Sequence, residues 1–131
     1  MSNPKILIVD DDLGIRSQLK WGLDGYEVIT ADSRLHAIEQ FDLHQPPLVT
    51  LDLGLPPDAN GTTEGFAILK AILKKAPNTK VLIVSGSNCA NNEQLARKNG
   101  AFEYCPKPIE IDQLQKLIEN AYSDYQLKID K

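Results

Sequence analysis

Along the whole chain, short apolar runs alternate with longer segments in which apolar residues recur every three or four positions. The first run, residues 5–9, is continuous and ends abruptly in acid at Asp10. Such a run is typical of a strand buried on both faces, as in a parallel sheet covered by helices. The predicted strands are residues 5–9, 26–30, 48–51, 81–84 and 101–104.

A helical segment follows each of these strands. Asp12 and Ser33 stand where side chains commonly cap a helix, and Gly25 stands where the first helix is expected to end. The fourth helix, roughly residues 91–98, is short and polar. The predicted apolar positions of the other helices are Leu13, Ile15, Leu19, Leu23, Leu35, Ile38, Phe41, Phe66, Leu69, Ile72, Leu73, Ile111, Leu114, Ile118, Ala121 and Tyr125. Five successive βα units predict an α/β fold: a doubly wound, five-stranded parallel sheet with helices on both faces.

Polar residues stand at the carboxyl ends of the predicted strands. They are Asp10, Asp11 and Asp12 after the first strand, Asp52 after the third, Ser85 after the fourth and Lys107 after the fifth. In an open parallel sheet these ends lie along one edge, where ligands bind at the switch in strand order. We therefore expect these side chains to converge there.

This set of residue types suits phosphoryl transfer onto a carboxylate. Crowded carboxylates repel one another unless a cation is present, and Mg²⁺ takes oxygen ligands. An aspartate beside Mg²⁺ can act as a nucleophile, while an ammonium and a hydroxyl stabilise phosphoryl oxygens. Taken singly, each residue has an ordinary explanation as a helix cap, a turn residue or a solvated lysine. Together, each at the end of the right strand, they predict that Asp52 is a phospho-acceptor.

The chain resembles the receiver domains of bacterial two-component response regulators in the stretches ILIVDDD, LVTLDLGLP, VLIVSG and YCPKP. The resemblance covers nearly the whole chain. It implies a flavodoxin-like sheet with strand order 2-1-3-4-5, and a phospho-acceptor signalling domain, not an enzyme with an external substrate. A sensor histidine kinase would be the phosphoryl donor. Phosphorylation would change the face formed by helix four, strand five and helix five and so control an output, with a homodimer as one form of the active state.

The resemblance also assigns a role to each site residue. Asp52 would accept the phosphoryl group. Mg²⁺ would be held by Asp10, Asp11, Asp52 and the carbonyl of Gly54. Lys107 would bind the phosphoryl group, Ser85 and Tyr104 would be the switch residues, and the Lys107–Pro108 peptide bond would be cis.

Two longer stretches, QLKWGLDGYEVITAD and TLDLGLPPDANGTTEGFAILKAIL, are similar to one group of receivers. That group is the sigma-54-dependent regulators associated with PEP-CTERM exopolysaccharide systems, which continue into an AAA+ ATPase and a helix-turn-helix domain. The chain has no GxxxxGK[ST] loop. We therefore expect a receiver over residues 1–122 and, over 123–131, an extension of the last helix toward an output domain absent from this chain.

The segment Leu53 to Glu64 departs from the family pattern. Gly65 fits the start of the third helix better than Gly61, which makes this loop some five residues longer than usual. One interpretation is a surface insertion that the fold tolerates. The other is a functional loop that shields the phosphorylation site or contacts the kinase or the output domain. The last helix also has two interpretations. Its residues Ile111, Ile118 and Tyr125 keep a seven-residue spacing. That spacing suits either packing on the sheet or the start of a coiled dimer helix.

Composition narrows the alternatives. A net charge of −4 without a basic cluster argues against direct nucleic-acid binding. The apolar runs are too short to span a bilayer, and no leader pattern opens the chain, so we expect a cytoplasmic protein with Cys89 and Cys105 reduced. Trp21 is expected in the core or at its rim. A phosphatase of the haloacid dehalogenase type is disfavoured because the acidic triplet does not continue into that family's DxDx[TV] motif. A receiver-like module that is never phosphorylated remains the alternative.

Overall fold

Parallel strands form a sheet in the middle of the molecule. The computed structural model describes residues 3–55, 62–86 and 90–129. Over these residues the strands are β1 (Lys5–Val9), β2 (Glu27–Ala31), β3 (Leu48–Leu51), β4 (Lys80–Ser85) and β5 (Glu103–Pro106). Their order across the sheet is β2-β1-β3-β4-β5, and every neighbouring pair is parallel. The predicted flavodoxin-like fold is confirmed.

Helices follow the strands in alternation: α1 (Leu13–Gly22), α2 (Arg34–His44), α3 (Thr63–Lys75), α4 (Ala90–Lys98) and α5 (Ile111–Ile129). The predicted caps are present at the first two. The Asp12 carboxylate accepts hydrogen bonds from the backbone N–H groups of Gly14 and Ile15, at 2.7 and 3.3 Å. The Ser33 hydroxyl accepts one from the N–H of His36 at 3.3 Å. These bonds satisfy N–H groups that lack a partner inside the helix.

The core has two layers because successive residues of a strand point to opposite faces of the sheet. On one face the odd-numbered residues of the central strands pack against α2, α3 and α4, and on the other the even-numbered residues pack against α1 and α5. The first layer contains Leu7, Val9, Val49, Leu51, Val81 and Ile83, and the second contains Ile6, Ile8, Leu48, Leu82 and Val84. This two-sided burial explains why the central strands read as continuous apolar runs.

Several predicted boundaries shift by a residue or two. β2 begins at Glu27 and not at residue 26, and β5 begins at Glu103 and not at residue 101. The chain reaches β5 through Gly100, whose φ of +101° belongs to the left-handed region that favours glycine. The first helix ends before Gly25, which has a φ of +89° and lies in the turn that leads into β2.

The burial expected for Trp21 was wrong, and two leucines that mark the helical spacing are exposed as well. Trp21, which we expected in the core or at its rim, is 84% exposed near the end of α1. Leu13 and Leu35 belong to the apolar positions predicted for α1 and α2, yet both side chains are largely exposed. Apolar periodicity identified the helices correctly, but it does not show how wide a stripe of each helix the sheet covers.

The last helix runs without interruption from Ile111 to Ile129. Ile118, the middle residue of the seven-residue spacing, is fully buried against the sheet. Packing within the chain therefore accounts for an apolar residue at this position. Near the end of the helix, Asp124 forms an ion pair with Lys80 at the start of β4. The Lys80 ammonium also lies 5.3 Å from the centre of the Phe102 ring. Beyond residue 122, the helix therefore still contacts the sheet, through the Asp124–Lys80 ion pair.

The unusual segment after β3 is anchored at both ends, while residues 56–61, including Gly61, lie outside the described residues. Leu53 and Leu55 are fully buried at its start. At its end, the Gly65 N–H donates to the Leu53 carbonyl at 3.2 Å, and the nearly buried carboxylate of Glu64 pairs with Arg34 at 3.3 Å. A Cβ at position 65 would lie 2.3 Å from the Leu53 Cα. Gly65 is thus a glycine that the start of α3 requires.

Candidate functional site

Three carboxylates meet where β1 and β3 end. Asp10 and Asp11 follow β1, and Asp52 follows β3. One carboxylate oxygen of each lies within 4.8 Å of the others. Asp10 and Asp52 are nearly buried, whereas Asp11 is exposed. The predicted convergence of these residues is therefore present in the structure.

Lys107, which follows β5, brings a positive charge to the cluster. Its ammonium nitrogen lies 2.9 Å from the Asp10 carboxylate and 3.4 Å from the Asp52 carboxylate. The Lys107 side chain is 21% exposed, so its interaction with the aspartates is only partly screened by water. The backbone supports this position, because the Lys107 N–H donates to the Ser85 carbonyl at 2.9 Å. The Lys107–Pro108 peptide bond is cis.

The sheet itself holds Asp52 in place. The Asp52 N–H donates to the Val9 carbonyl at 2.9 Å, which extends the β1–β3 pairing by one residue. The Asp52 carboxylate accepts a hydrogen bond from the Gly54 N–H at 3.2 Å. This bond turns the chain immediately after the strand and directs the carboxylate to the sheet edge, as short aspartate side chains commonly do in turns.

Burial and neighbouring charges shift the pKa values of both Asp52 and Lys107. Burial, and next the Asp10 charge, raise the pKa of Asp52, although Lys107 and the Gly54 N–H act in the opposite direction. Burial lowers the pKa of Lys107, but its hydrogen bond to Asp10 and the charges of Asp10 and Asp52 outweigh that effect, so the pKa is raised overall. Lys107 therefore stays charged at neutral pH and acts as a fixed cation beside two carboxylates that repel each other.

Ser85 and Tyr104 lie on the β4–β5 side of the site. Ser85 is the last residue of β4 and is almost fully buried. Tyr104 in β5 is half-buried and packs against the core layer formed with α2, α3 and α4. A cavity of about 180 Å³ lies between β5 and α5, with Tyr104 and Cys105 on its wall.

The donor set fits a divalent metal ion. Asp10, Asp11 and Asp52 offer carboxylate oxygens, which Mg²⁺ prefers, and the exposure of Asp11 leaves room for the waters that Mg²⁺ retains. One cation already neutralises part of the charge, since Lys107 contacts two of the three carboxylates.

Arg16 is not among the residues that the sequence predicts for the site. Its guanidinium donates a hydrogen bond of 2.8 Å to the backbone carbonyl of Asp10, one of the three clustered aspartates. A basic residue one turn after a capping aspartate was the available signal. It is a weak one, because most basic residues in that position lie in solvent.

Comparison with known proteins agrees with the fold. A family model, "Response regulator receiver domain", matches residues 6–119. The DNA-binding transcriptional regulator NtrC of Escherichia coli K12 is 31% identical over 123 residues, which are 92% of this chain and 25% of NtrC. Sporulation initiation phosphotransferase F of Bacillus subtilis is 31% identical over 121 residues, which are 91% of this chain and 94% of that protein. The chain thus spans about a quarter of NtrC and nearly all of the shorter relative.

Solved structures give the same result. A receiver domain protein from Clostridium thermocellum superposes with a TM-score of 0.85 at 34% identity, covering 95% of this chain and 98% of the other. NtrX from Brucella abortus superposes with a TM-score of 0.87 at 30% identity, covering 98% of this chain and 28% of NtrX. Over the described residues, no helix is both long and apolar enough to cross a membrane. The chain belongs to the response regulator receiver domain family of two-component systems, and it is related to NtrC.

Proposed function

We propose that this receiver accepts a phosphoryl group on Asp52 from a histidine kinase. The observation that carries the proposal is the arrangement of three aspartates within 4.8 Å, with the Lys107 ammonium 3.4 Å from the Asp52 carboxylate. One carboxylate is thereby placed beside a fixed cation and two further carboxylates that can hold a metal. That is the set of groups that phosphoryl transfer to a carboxylate requires.

In the proposed reaction an Asp52 carboxylate oxygen attacks the phosphorus atom of a phosphohistidine. A new O–P bond forms, the P–N bond breaks, and the imidazole leaves. Lys107 is already at the site and stabilises charge on the phosphoryl oxygens. Ser85 is assigned a hydroxyl contact to another oxygen because it ends the neighbouring strand β4. Burial of Asp52 limits its hydration, which favours attack by the ionised carboxylate.

We assign Mg²⁺ to Asp10, Asp11, Asp52 and the Gly54 carbonyl. When bound, it supplies positive charge that keeps Asp52 ionised and offsets the charge of the phosphoryl group. The Lys107 ammonium contacts both Asp10 and Asp52, and it lies closer to Asp10. We expect it to move toward the phosphoryl oxygens once Asp52 is modified.

The proposed output is a change on the face made by α4, β5 and α5. There Arg97 of α4 pairs with Glu103 of β5 at 3.0 Å and with Glu93 of its own helix at 3.2 Å. Tyr104 is next to Glu103 in β5, so a movement of Tyr104 that follows Ser85 acts on a strand already linked to α4. Such a shift between two packed states is how a local charge change reaches a surface.

We further propose that the receiver, residues 1–122, controls an output domain that lies beyond the extension of α5, residues 123–131. Support comes from NtrC and NtrX, which are about four times as long as this chain. An AAA+ sigma-54 activator followed by a helix-turn-helix domain is the proposed output, and transcription the proposed process.

Intact mass spectrometry tests the acceptor directly. The full chain is incubated with acetyl phosphate or phosphoramidate, with Mg²⁺ and, in parallel, with EDTA. We expect a mass gain of one phosphoryl group that requires Mg²⁺ and disappears in Asp52→Asn. A complex with beryllofluoride, which mimics the acyl phosphate, should show Tyr104 turned inward.

The competing functions give different results. An unmodified mass under all conditions would identify an interaction module that is not phosphorylated. An adduct that survives Asp52→Asn would move the acceptor to another residue. Repeated turnover of small phosphomonoesters would point to a phosphatase.

A further inference from the structure

Asp10 is held through each of its polar groups. Its N–H donates to the Ala31 carbonyl at 3.0 Å. Its carboxylate accepts from the Asp12 N–H at 2.9 Å and pairs with Lys107 at 2.9 Å. Its carbonyl accepts the Arg16 guanidinium at 2.8 Å. The first three contacts come from β2, from the turn itself and from Lys107, and the fourth comes from Arg16, a side chain to which the proposed chemistry gives no role.

The contact from Arg16 closes a loop around the acidic turn. The Arg16 N–H donates to the Asp12 carbonyl at 3.1 Å as part of the first turn of α1, which fixes the Arg16 backbone. From there the side chain reaches back six residues to Asp10. Asp11 lies inside this loop and is exposed, so packing does little to fix its carboxylate. The position of Asp11 relative to Asp10 and Asp52 therefore depends on the backbone that Arg16 braces.

Two effects of Arg16 on a cation at this site have opposite signs. Its positive charge lies close to the cluster and repels a metal ion, so charge alone predicts that removing Arg16 tightens metal binding. Its hydrogen bond holds the ligands in place, so positioning predicts that removing Arg16 weakens metal binding. We expect the positioning effect to be the larger one, because the 2.8 Å hydrogen bond fixes the Asp10 backbone next to Asp11, whereas Asp11 is exposed and repulsion of a metal ion there is partly screened by water and salt.

We propose that Arg16 is a positioning residue of the phosphoryl-transfer site, which sets Mg²⁺ affinity by holding the Asp10 carbonyl and with it the spacing of Asp10 and Asp11. The inference rests on the proposed function, because it concerns the same metal-dependent site. The Arg16 hydrogen bond goes to the Asp10 carbonyl and not to the Asp52 carboxylate, and a positively charged guanidinium is not a metal ligand. Arg16 acts through the backbone of Asp10, as partners behind metal ligands commonly do.

Titration with Mg²⁺, followed by amide NMR shifts in the full chain, tests this without any turnover. We expect Arg16→Met to weaken Mg²⁺ binding by about 10-fold, the lower end of the usual effect of losing such a partner. Arg16→Lys keeps the charge but loses the planar fork, and it should weaken binding less than Arg16→Met. Lys20→Met is the matched control, since it removes one positive charge from an exposed position on the same helix, and its affinity should stay near that of the wild type.

A second measurement separates positioning from a general loss of structure. In the acetyl phosphate reaction, Arg16→Met should raise the Mg²⁺ concentration at half-maximal rate by the same factor of about 10. The rate at saturating Mg²⁺ should fall much less, and the melting temperature in EDTA should change little. Should Arg16→Met fail to fold, Arg16→Gln takes its place with the same expected weakening, since its amide is too short to reach the carbonyl.

Unchanged or tighter Mg²⁺ binding in Arg16→Met would overturn the inference and leave the proposed function standing. The inference would also be overturned if Arg16→Met bound Mg²⁺ normally and only its phosphorylation by a kinase were slower, because Arg16 would then act by contacting the kinase. A wild-type chain that binds no Mg²⁺ and accepts no phosphoryl group would overturn the proposed function, and the inference with it.

Discussion

Replacement of Gly65 by alanine tests the geometry that joins β3 to α3. The added Cβ would lie 2.3 Å from the Leu53 Cα, 2.7 Å from its carbonyl oxygen and 2.9 Å from its carbonyl carbon. Carbon atoms in normal contact are about 3.5–4.0 Å apart, so helix and loop must separate by roughly 1 Å or more. All three atoms belong to the backbone, which cannot turn aside as a flexible side chain can.

The expected cost follows from two opposing contributions. Overpacking of this kind costs about 1–3 kcal/mol, and three backbone contacts place Gly65→Ala at the upper end of that range. Alanine is about 1 kcal/mol more favourable than glycine within a helix, which offsets part of the loss. We expect a net destabilisation of about 2 kcal/mol, which for a chain of this size lowers the melting temperature by roughly 6–10 °C.

Thermal unfolding measured by circular dichroism gives the magnitude, and phosphorylation by acetyl phosphate gives the consequence for the site. Leu53 lies between Asp52 and Gly54, so its displacement should also slow phosphorylation. Gly86→Ala is the control for stability, because a Cβ at Gly86 would meet no atom within 4 Å; it should change stability by less than about 0.5 kcal/mol. A Gly65→Ala variant that melts with the wild type would refute both the close approach and the placement of Gly65 at the start of α3.

Three further predictions concern the titratable groups. Because the pKa of Asp52 is raised in the folded state, the stability that this group contributes is present below its ordinary value of 3.8 and is lost as the pH rises through the higher folded-state value. Asp52→Asn should therefore melt above the wild type at pH 7 in EDTA, with the difference shrinking toward pH 3; an equal difference at both pH values would contradict this assignment. Lys107→Met leaves Asp10 and Asp52 without their cation and should cost about 1–3 kcal/mol in EDTA, less than the roughly 3–5 kcal/mol of a fully buried pair because Lys107 is 21% exposed. Mg²⁺ should then raise the melting temperature of Lys107→Met more than that of the wild type, and an equal rise would argue against Lys107 as the counter-ion. Burial, and next the Glu103 charge, raise the pKa of the Cys105 thiol from 9.0 to about 11. In a Cys89→Ser background the thiolate fraction of Cys105 at pH 8 should therefore be about 100-fold lower than in the unfolded chain, and its reaction with a disulfide reagent about 10-fold slower, since a thiolate of higher pKa is more nucleophilic; equal rates would show that the thiol is not desolvated.

The α/β class followed from the sequence because it depends on local periodicity. Central strands buried on both faces read as unbroken apolar runs, and the helices between them read as three-to-four-residue repeats. The ends of the strands then placed Asp10, Asp52 and Lys107 at one edge of the sheet, since parallel strands carry their carboxyl ends to the same side. The caps at Asp12 and Ser33 were also predictable, because a cap depends on residues only two or three positions apart.

The structure alone decided what depends on which surfaces meet. Trp21 and Leu35 look like core residues in the sequence, but the sheet does not extend over them. The choice of Gly65 over Gly61 became firm only when the Leu53 backbone was seen to pass where a side chain would stand. Arg16 carried only a weak signal in the sequence, because its bond to the Asp10 carbonyl depends on how α1 packs beside the end of β1. The sequence by itself determined which side chains stand at the carboxyl ends of the strands, since that needs only element order, whereas tertiary packing determined what holds them in place, since that needs contacts between elements.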